Sequence, residues 1–211
     1  NDFIADLELI TLGNDLLKAI LPKSNFTLNI NSLGQRENLI DYKSGLSKYF
    51  EEKKFKLSAE SRNKINSNPL RILDSKQEND IEVSNNAPSI SEFLSEESKN
   101  HFIEIKKGLD YYNIGYQENS RLVRGLDYYC STVFEFKTND LGSQDTLLGG
   151  GRYDGLIGNL GGPDIPGIGW AAGIERISML MKKNLNSANI VHIAITEQKY
   201  KNHLLKIIKY L

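Results

Sequence analysis

Three short stretches place glycine beside groups that can hold an anion or a planar ligand: VRGLDYY at 123–129, GGGRYDG at 149–155 and GIGWAAGIER at 167–176. Glycine lets a ligand come close to the backbone. Arginine supplies a rigid planar fork for phosphate or carboxylate, and tyrosine an aromatic wall that ends in a hydroxyl. Arginine is scarce, with seven against nineteen lysines, yet Arg124, Arg152 and Arg176 all fall in or against these stretches. Taken singly, each stretch has a plainer use as a turn, a tight strand crossing or a salt-bridged strand. Their recurrence within some fifty-five residues points to a pocket for a small phosphate-bearing substrate.

Other chemistries fit less well. GIGWAA matches a dinucleotide-binding spacing, but the turn GGPDIP precedes it and no acidic residue follows at the required strand end. The GxxxxGK[ST] phosphate loop is absent. His101, His192 and His203 lie away from the glycine tracts and read as structural or solvent-facing. Cys130 stands in an alternating strand pattern with no base near it in sequence, so covalent catalysis has no support.

The elements that must position these stretches are legible in outline. Residues 5–20 carry a helical stripe at Leu9, Leu12, Leu16 and Ile20, with Asn1 or Asp2 as cap. A strand is expected at Phe26–Ile30, then mainly helix from Gly34 to about Tyr116, interrupted by a polar exposed loop at 75–88. The pentapeptide GLDYY occurs twice. The copy at 108–112 falls on a helical stripe of Phe102, Ile105, Leu109 and Tyr112, stopped by Asn113 and Gly115. The copy at 125–129 lies between a strand-like LVR and CSTVFEFKT, in which Thr132, Phe134 and Phe136 alternate with Val133, Glu135 and Lys137. One pentapeptide on opposite secondary structures is not a repeat, which leaves the second copy free for chemistry. After a turn at 139–145 and the glycine run, IPGIGWAAGIERISMLMKK reads as a strand entering a helix, with Ile174, Ile177 and Leu180 or Met181 on one side. NIVHIAITE, residues 189–197, reads as a buried strand before a helical stripe of Leu204, Ile207, Ile208 and Leu211, the start of a second, α/β domain.

Composition bounds the partners. A net charge of -1 with 25% charged residues excludes a strongly basic arm, so any nucleic acid must meet a local patch. One cysteine gives neither an internal disulfide nor a metal cluster, which fits a reducing compartment. No run of eighteen apolar residues and no signal-peptide order are present, so the expectation is a cytoplasmic protein with no membrane partner.

At LVRGLDYYCSTVFEF, GGGRYDGL and GIGWAAGIERI the chain resembles the histidyl-tRNA synthetases. The first two stretches look like the histidine-specific motifs of that family, and the third like motif 3 of class II aminoacyl-tRNA synthetases. NPLRILDSK at 68–76 and the opening helix extend the likeness over nearly the whole chain. The resemblance implies an α+β fold: a class II synthetase-type antiparallel sheet with flanking helices, a helical insertion, and the first βα unit of an α/β anticodon-binding domain. On this basis residues 1–33 and 118–185 form the catalytic core, 34–117 the insertion, and 186–211 the start of the anticodon-binding domain. The implied reaction joins L-histidine to ATP and passes the histidyl group to tRNA(His), with magnesium whose ligands are not assignable. By resemblance Arg124 is catalytic and also touches histidine. Tyr128, Tyr129, Tyr153, Gly150 and Gly151 would complete the histidine pocket, and Arg176 and Gly173 would hold ATP. Motifs 1 and 2 are expected ahead of residue 1, which reads as an internal fragment of a homodimeric parent, with little activity alone. A regulatory or histidine-sensing subunit without catalysis is the competing expectation.

Overall fold

In a computed structural model the described residues are 2–123, 128–142, 145–181 and 197–200, with 202, 204 and 206. The chain divides into two compact units, Asn1–Met181 and Lys182–Leu211. The expected strand at 189–197 lies outside the described residues apart from its last position; among the described residues the second unit shows a 3-10 turn at Gln198–Tyr200 and helical backbone at 202, 204 and 206.

The first unit is built on a five-stranded mixed sheet. Helix α1 (Phe3–Ile20) opens the chain, and the Asp2 side chain caps it by accepting from the Ile4 amide at 3.0 Å. Strand β1 (Thr27–Ser32) follows, then β2 (Tyr116–Glu118), β3 (Cys130–Lys137), β4 (Thr146–Arg152) and β5 (Ile168–Ala172). Their order is β2-β1-β3-β4-β5, with β1 and β2 parallel and the other three pairings antiparallel. The sequence alternation in β3 is seen directly. Phe134 and Phe136 pack into a core with Leu7, Ile10 and Leu17 of α1, while Val133 enters a second core on the opposite face.

The face that α1 buries differs from the expected stripe. Its buried positions are Asp6, Leu7, Ile10, Gly13, Asn14 and Leu17, while Leu12 is 55% exposed. Gly13 explains the rotation: a Cβ there would stand 3.3 Å from both Leu148 and Phe136, so the helix approaches the sheet most closely at its glycine. Helix α6 (Glu96–Tyr111) lies beside α1, contributing Ile105 and Leu109 to the same core. It carries the first GLDYY copy and ends as expected at Asn113, whose φ is 55°. Tyr112, expected on its packed face, is instead 53% exposed.

The second core belongs to the helical segment. Helix α2 (Arg36–Glu52) buries Leu39, Tyr42, Leu46 and Phe50 against Leu57, Ile65 and Ile72, and against Leu33, Leu122, Val123 and Val133 around the sheet. Short helices α3 (Ala59–Arg62), α4 (Leu70–Leu73) and α5 (Glu78–Ser84) follow. Helix α5 falls inside the stretch expected to be an exposed loop. The reason is Asp80, which is fully buried and accepts from the Ser58 amide at 2.8 Å and from the hydroxyls of Ser58, Ser61 and Ser75 at 2.8, 2.6 and 2.7 Å. Three serines from two segments, the start of α3 and the turn after α4, converge on one carboxylate, an ordering that no apolar period announces.

Burial alone would raise the Asp80 pKa, but the bonds from Ser61, the Ser58 amide, Ser75 and the Ser58 hydroxyl hold it below the ordinary range. A depressed folded pKa stabilises above the unfolded carboxylate's value of about 3.9, and that stability is lost as pH falls through the folded value. Asp80→Ala is therefore expected to cost about 3 kcal/mol at neutral pH, because it strands buried hydroxyls. The cost should fade in acid; urea unfolding at pH 7 and pH 3 checks both.

Candidate active site

The sheet brings two of the three glycine stretches onto neighbouring strands, since GGGR forms the end of β4 and IGWAA forms β5. Gly150 and Gly151 do different work there. A Cβ at Gly150 would collide with the Gly169 carbonyl and stand 2.6 Å from the Trp170 Cα, so the glycine permits the close β4–β5 approach. A Cβ at Gly151 would stand 2.6 Å from the Thr132 carbonyl and 3.0 Å from the Tyr129 ring, so this glycine makes room for an aromatic wall.

That wall is a cluster of three tyrosines. Tyr128 and Tyr129 have ring centroids 4.7 Å apart, and Tyr128 meets Tyr153 edge-on at 6.1 Å. Tyr129 also packs against the core of the helical segment. Tyr153 is fixed from the β5 side. Its amide donates to the Gly167 carbonyl at 2.8 Å, its ring covers Gly167 and Gly169, and its hydroxyl donates to the Ile168 carbonyl at 3.4 Å. All three rings thus stand at the Arg152 end of β4.

Arg152 itself faces the other way. It is 3% exposed and bound on the α1 side to Asp6, with Nε at 3.1 and 3.3 Å from the two carboxylate oxygens and Nη2 also engaged. Its Nη1 reaches Asp154 at 3.3 Å, and Asp154 accepts from the Gly167 amide at 2.9 Å. The guanidinium read from sequence as a fork for substrate is used for internal carboxylates. His101 stands 3.6 Å from Asp6 and is 16% exposed, a structural place. Neighbouring Cys130 is no nucleophile, because burial and then the Asp154 charge push its thiol pKa up to about 11. Asp6 and Asp154 were missed in sequence; Asp6 offered one signal, a carboxylate spaced four residues before the buried Ile10.

The two ATP candidates meet at the opposite end of β4. After the short helix α7 (Leu156–Asn159), helix α8 (Ile174–Leu180) starts at Gly173, whose amide donates to the Leu147 carbonyl at 2.9 Å. Arg176 Nη1 donates to the Thr146 carbonyl at 2.7 Å, and a Cβ at Gly173 would stand 3.3 Å from the Arg176 stem. Within α8, Ile177 is buried as expected, whereas Ile174 is 74% exposed. From Thr146 to Arg152 the strand rises about 20 Å. Three tyrosines therefore stand at one end of a glycine-lined strand and an arginine at the other. Arg124, with residues 125–127, lies outside the described residues, as do His192 and His203. The strand-like LVR is not a strand at Leu122 and Val123, which are buried in the helical segment's core. A groove of about 470 Å³ lies elsewhere, among Lys18, Leu21, Asn25, Phe26 and Phe136.

Among the described residues no helix is long and apolar enough to cross a membrane. No protein-family model matches the chain. Curated relatives do. The chain is 49% identical over 176 residues to the histidine–tRNA ligase of Anaplasma marginale (strain Florida), covering 83% of this chain and 41% of that protein. It is 45% identical over 205 residues to that of Rickettsia bellii (strain RML369-C), covering 97% of this chain and 49% of that protein. The chain thus spans just under half the length of the curated relatives it matches. Among solved structures, apo Staphylococcus aureus histidyl-tRNA synthetase matches with a TM-score of 0.69 at 29% identity, over 100% of this chain and 53% of that one.

Proposed function

The chain is a homologue of the histidine–tRNA ligases across most of its own length, and on that premise we propose that it carries the histidine pocket and part of the ATP site of such an enzyme. The observation that carries this reading is the arrangement along β4, with Tyr128, Tyr129 and Tyr153 clustered beside Gly151 and Arg176 beside Gly173 at the far end. Histidine lies against the tyrosines, with its carboxylate toward the glycine run, and ATP extends from there to Arg176. A histidine carboxylate oxygen attacks the α-phosphorus, the bond to the β-phosphate oxygen breaks, and pyrophosphate leaves with its electron pair. A terminal ribose hydroxyl of tRNA(His) then attacks the acyl carbon of histidyl-adenylate, the acyl–phosphate bond breaks, and AMP leaves. Two anions approach in the first step, so a fixed guanidinium, the role given to Arg124, lowers the barrier by preorganised charge. Magnesium accompanies the ATP phosphates. Among the described residues no group of three or more potential ligands is assembled, and none is assigned to it.

In this reading residues 1–33 and 118–185 belong to the catalytic core, the insertion at 34–117 serves the tRNA acceptor end, residues 186–211 open the anticodon-binding domain, and the parent is a cytoplasmic homodimer. The chain alone is expected to exchange pyrophosphate into ATP only slowly, because half of its relatives' length is outside it.

The test is calorimetric titration of the chain with L-histidine. Binding that disappears in Tyr153→Ala, with no response to phenylalanine or lysine, supports the assignment. Equal heats from all three amino acids would remove it.

A further inference from the structure

Glu135 is a buried charged side chain of the sheet that the mechanism above leaves unused. It sits in mid-strand on β3, opposite Asn29 on one side and Gly149 on the other, and is only 6% exposed. A carboxylate held where water hardly reaches it costs folding energy unless paired and bonded. One of its bonds leads toward Arg176. Thr146 Oγ1 donates to Glu135 Oε2 at 3.1 Å, and the Thr146 carbonyl accepts from Arg176 Nη1 at 2.7 Å. One residue thus connects the buried carboxylate with the guanidinium.

The charges around it are arranged to keep Arg176 available. Lys137 Nζ lies 3.0 Å from Glu135 and 3.4 Å from Asp145, so one ammonium bridges both nearby carboxylates. Arg176 meets a neutral carbonyl instead, and its positive charge is not spent on a carboxylate of this group. The Gly173 amide on the Leu147 carbonyl fixes the start of α8 against the same end of β4. The helix start and the Arg176 guanidinium are thus both tied to this end of β4.

We propose that Glu135 is a positioning residue for Arg176, acting through Thr146, and that Lys137 neutralises it so that the guanidinium stays free for a nucleoside triphosphate. This rests on the ATP role given to Arg176 above. The carboxylate touches no substrate. It fixes the Thr146 side chain, hence the carbonyl on which the guanidinium is seated.

Equilibrium dialysis of ATP against the 211-residue chain tests it, with L-histidine affinity as the internal control. Glu135→Ala should weaken ATP binding by about two- to tenfold, the range for one indirect hydrogen bond, and leave histidine affinity unchanged. Glu135→Gln, which still accepts from Thr146, should restore it. Glu135→Ala should add nothing to Arg176→Ala, since groups acting through one another are non-additive. Should Glu135→Ala fail to fold, Thr146→Val breaks the same link with a side chain of equal shape and carries the same expectation. ATP affinity that falls in Arg176→Ala but stays intact in both Glu135→Ala and Thr146→Val overturns the relay alone. Affinity that ignores Arg176→Ala overturns the ATP assignment of Arg176, and the relay with it. Additive losses would show that Glu135 acts on ATP by another route, which also overturns the proposal.

Discussion

Arg152→Met is expected to lower the unfolding free energy by about 3–5 kcal/mol, the cost of leaving a buried carboxylate without its partner. Asp6 is fully buried, and its neighbours in α6 and β4 are His101 at 3.6 Å and the Arg152 guanidinium. Burial alone would raise the Asp6 pKa; the surrounding His101, Arg152 and Thr132 groups reverse the sign and hold it below the ordinary carboxylate range. The stabilisation is therefore present above about pH 3.9, the unfolded value, and lost as pH falls through the depressed folded value. In the Met variant the bonds and charge of Arg152 are gone while His101 and Thr132 remain, so the folded pKa moves up toward the unfolded one and that variant gains less stability as pH rises. The gap between the two proteins should thus be wide at pH 7 and narrow below about pH 4. Urea unfolding across that range measures it. A double replacement, Asp6→Leu with Arg152→Met, should recover much of the loss, because removing both charges costs less than stranding one. A gap independent of pH would show that Arg152 acts by packing rather than by charge.

The same pair shows what sequence could and could not reveal. Alternation in CSTVFEF was legible because a strand with different cores on its two faces must alternate, and Phe134 and Phe136 obey it. The cap at Asp2 and the left-handed stop at Asn113 were legible because each is decided by one residue's local chemistry. The buried face of α1 was not. A hydrophobic period assumes that apolar side chains seek the core, whereas this helix buries Asp6, Gly13 and Asn14 and leaves Leu12 outside. Asp6 is buried because of an arginine 146 residues away, and Asp80 because of serines in two segments, one of them about twenty residues upstream. Of these partners only Ser75 falls within a local window; Arg152, Ser58 and Ser61 do not. The pocket's composition was likewise visible as glycine, arginine and tyrosine, but the side of the sheet each would face was not. Tyr128, Tyr129 and Tyr153 come together, while Arg152, adjacent to Tyr153, turns to the opposite layer.

That division sharpens the expectation for the other arginine of the glycine stretches. With Arg152 committed to Asp6 and Arg176 seated at the far end of β4, neither competes with the role at the reacting phosphorus that we propose for Arg124 from the family resemblance. Its neighbours in sequence are anchored on both sides: Val123 is buried in the helical segment's core, and Tyr128 belongs to the tyrosine cluster. Arg124→Ala, in a protein carrying the full length of the relatives, is expected to slow histidine-dependent ATP–pyrophosphate exchange by about 10²–10³-fold, the effect of removing one preorganised donor from a developing oxyanion. The loss should appear in kcat, with the KM for ATP little changed, since a group that meets charge formed only in the transition state leaves ground-state binding alone. Unfolding should be unaffected to within about 0.5 kcal/mol, as expected of a group that serves the reaction rather than the fold. Arg124→Lys should restore only part of the rate, because an ammonium lacks the planar fork. A regulatory subunit that senses histidine without catalysis predicts the reverse: no exchange in either protein and a histidine affinity that Arg124→Ala weakens. Exchange kinetics and histidine titration on the same pair of proteins therefore decide between catalysis and sensing at a single side chain.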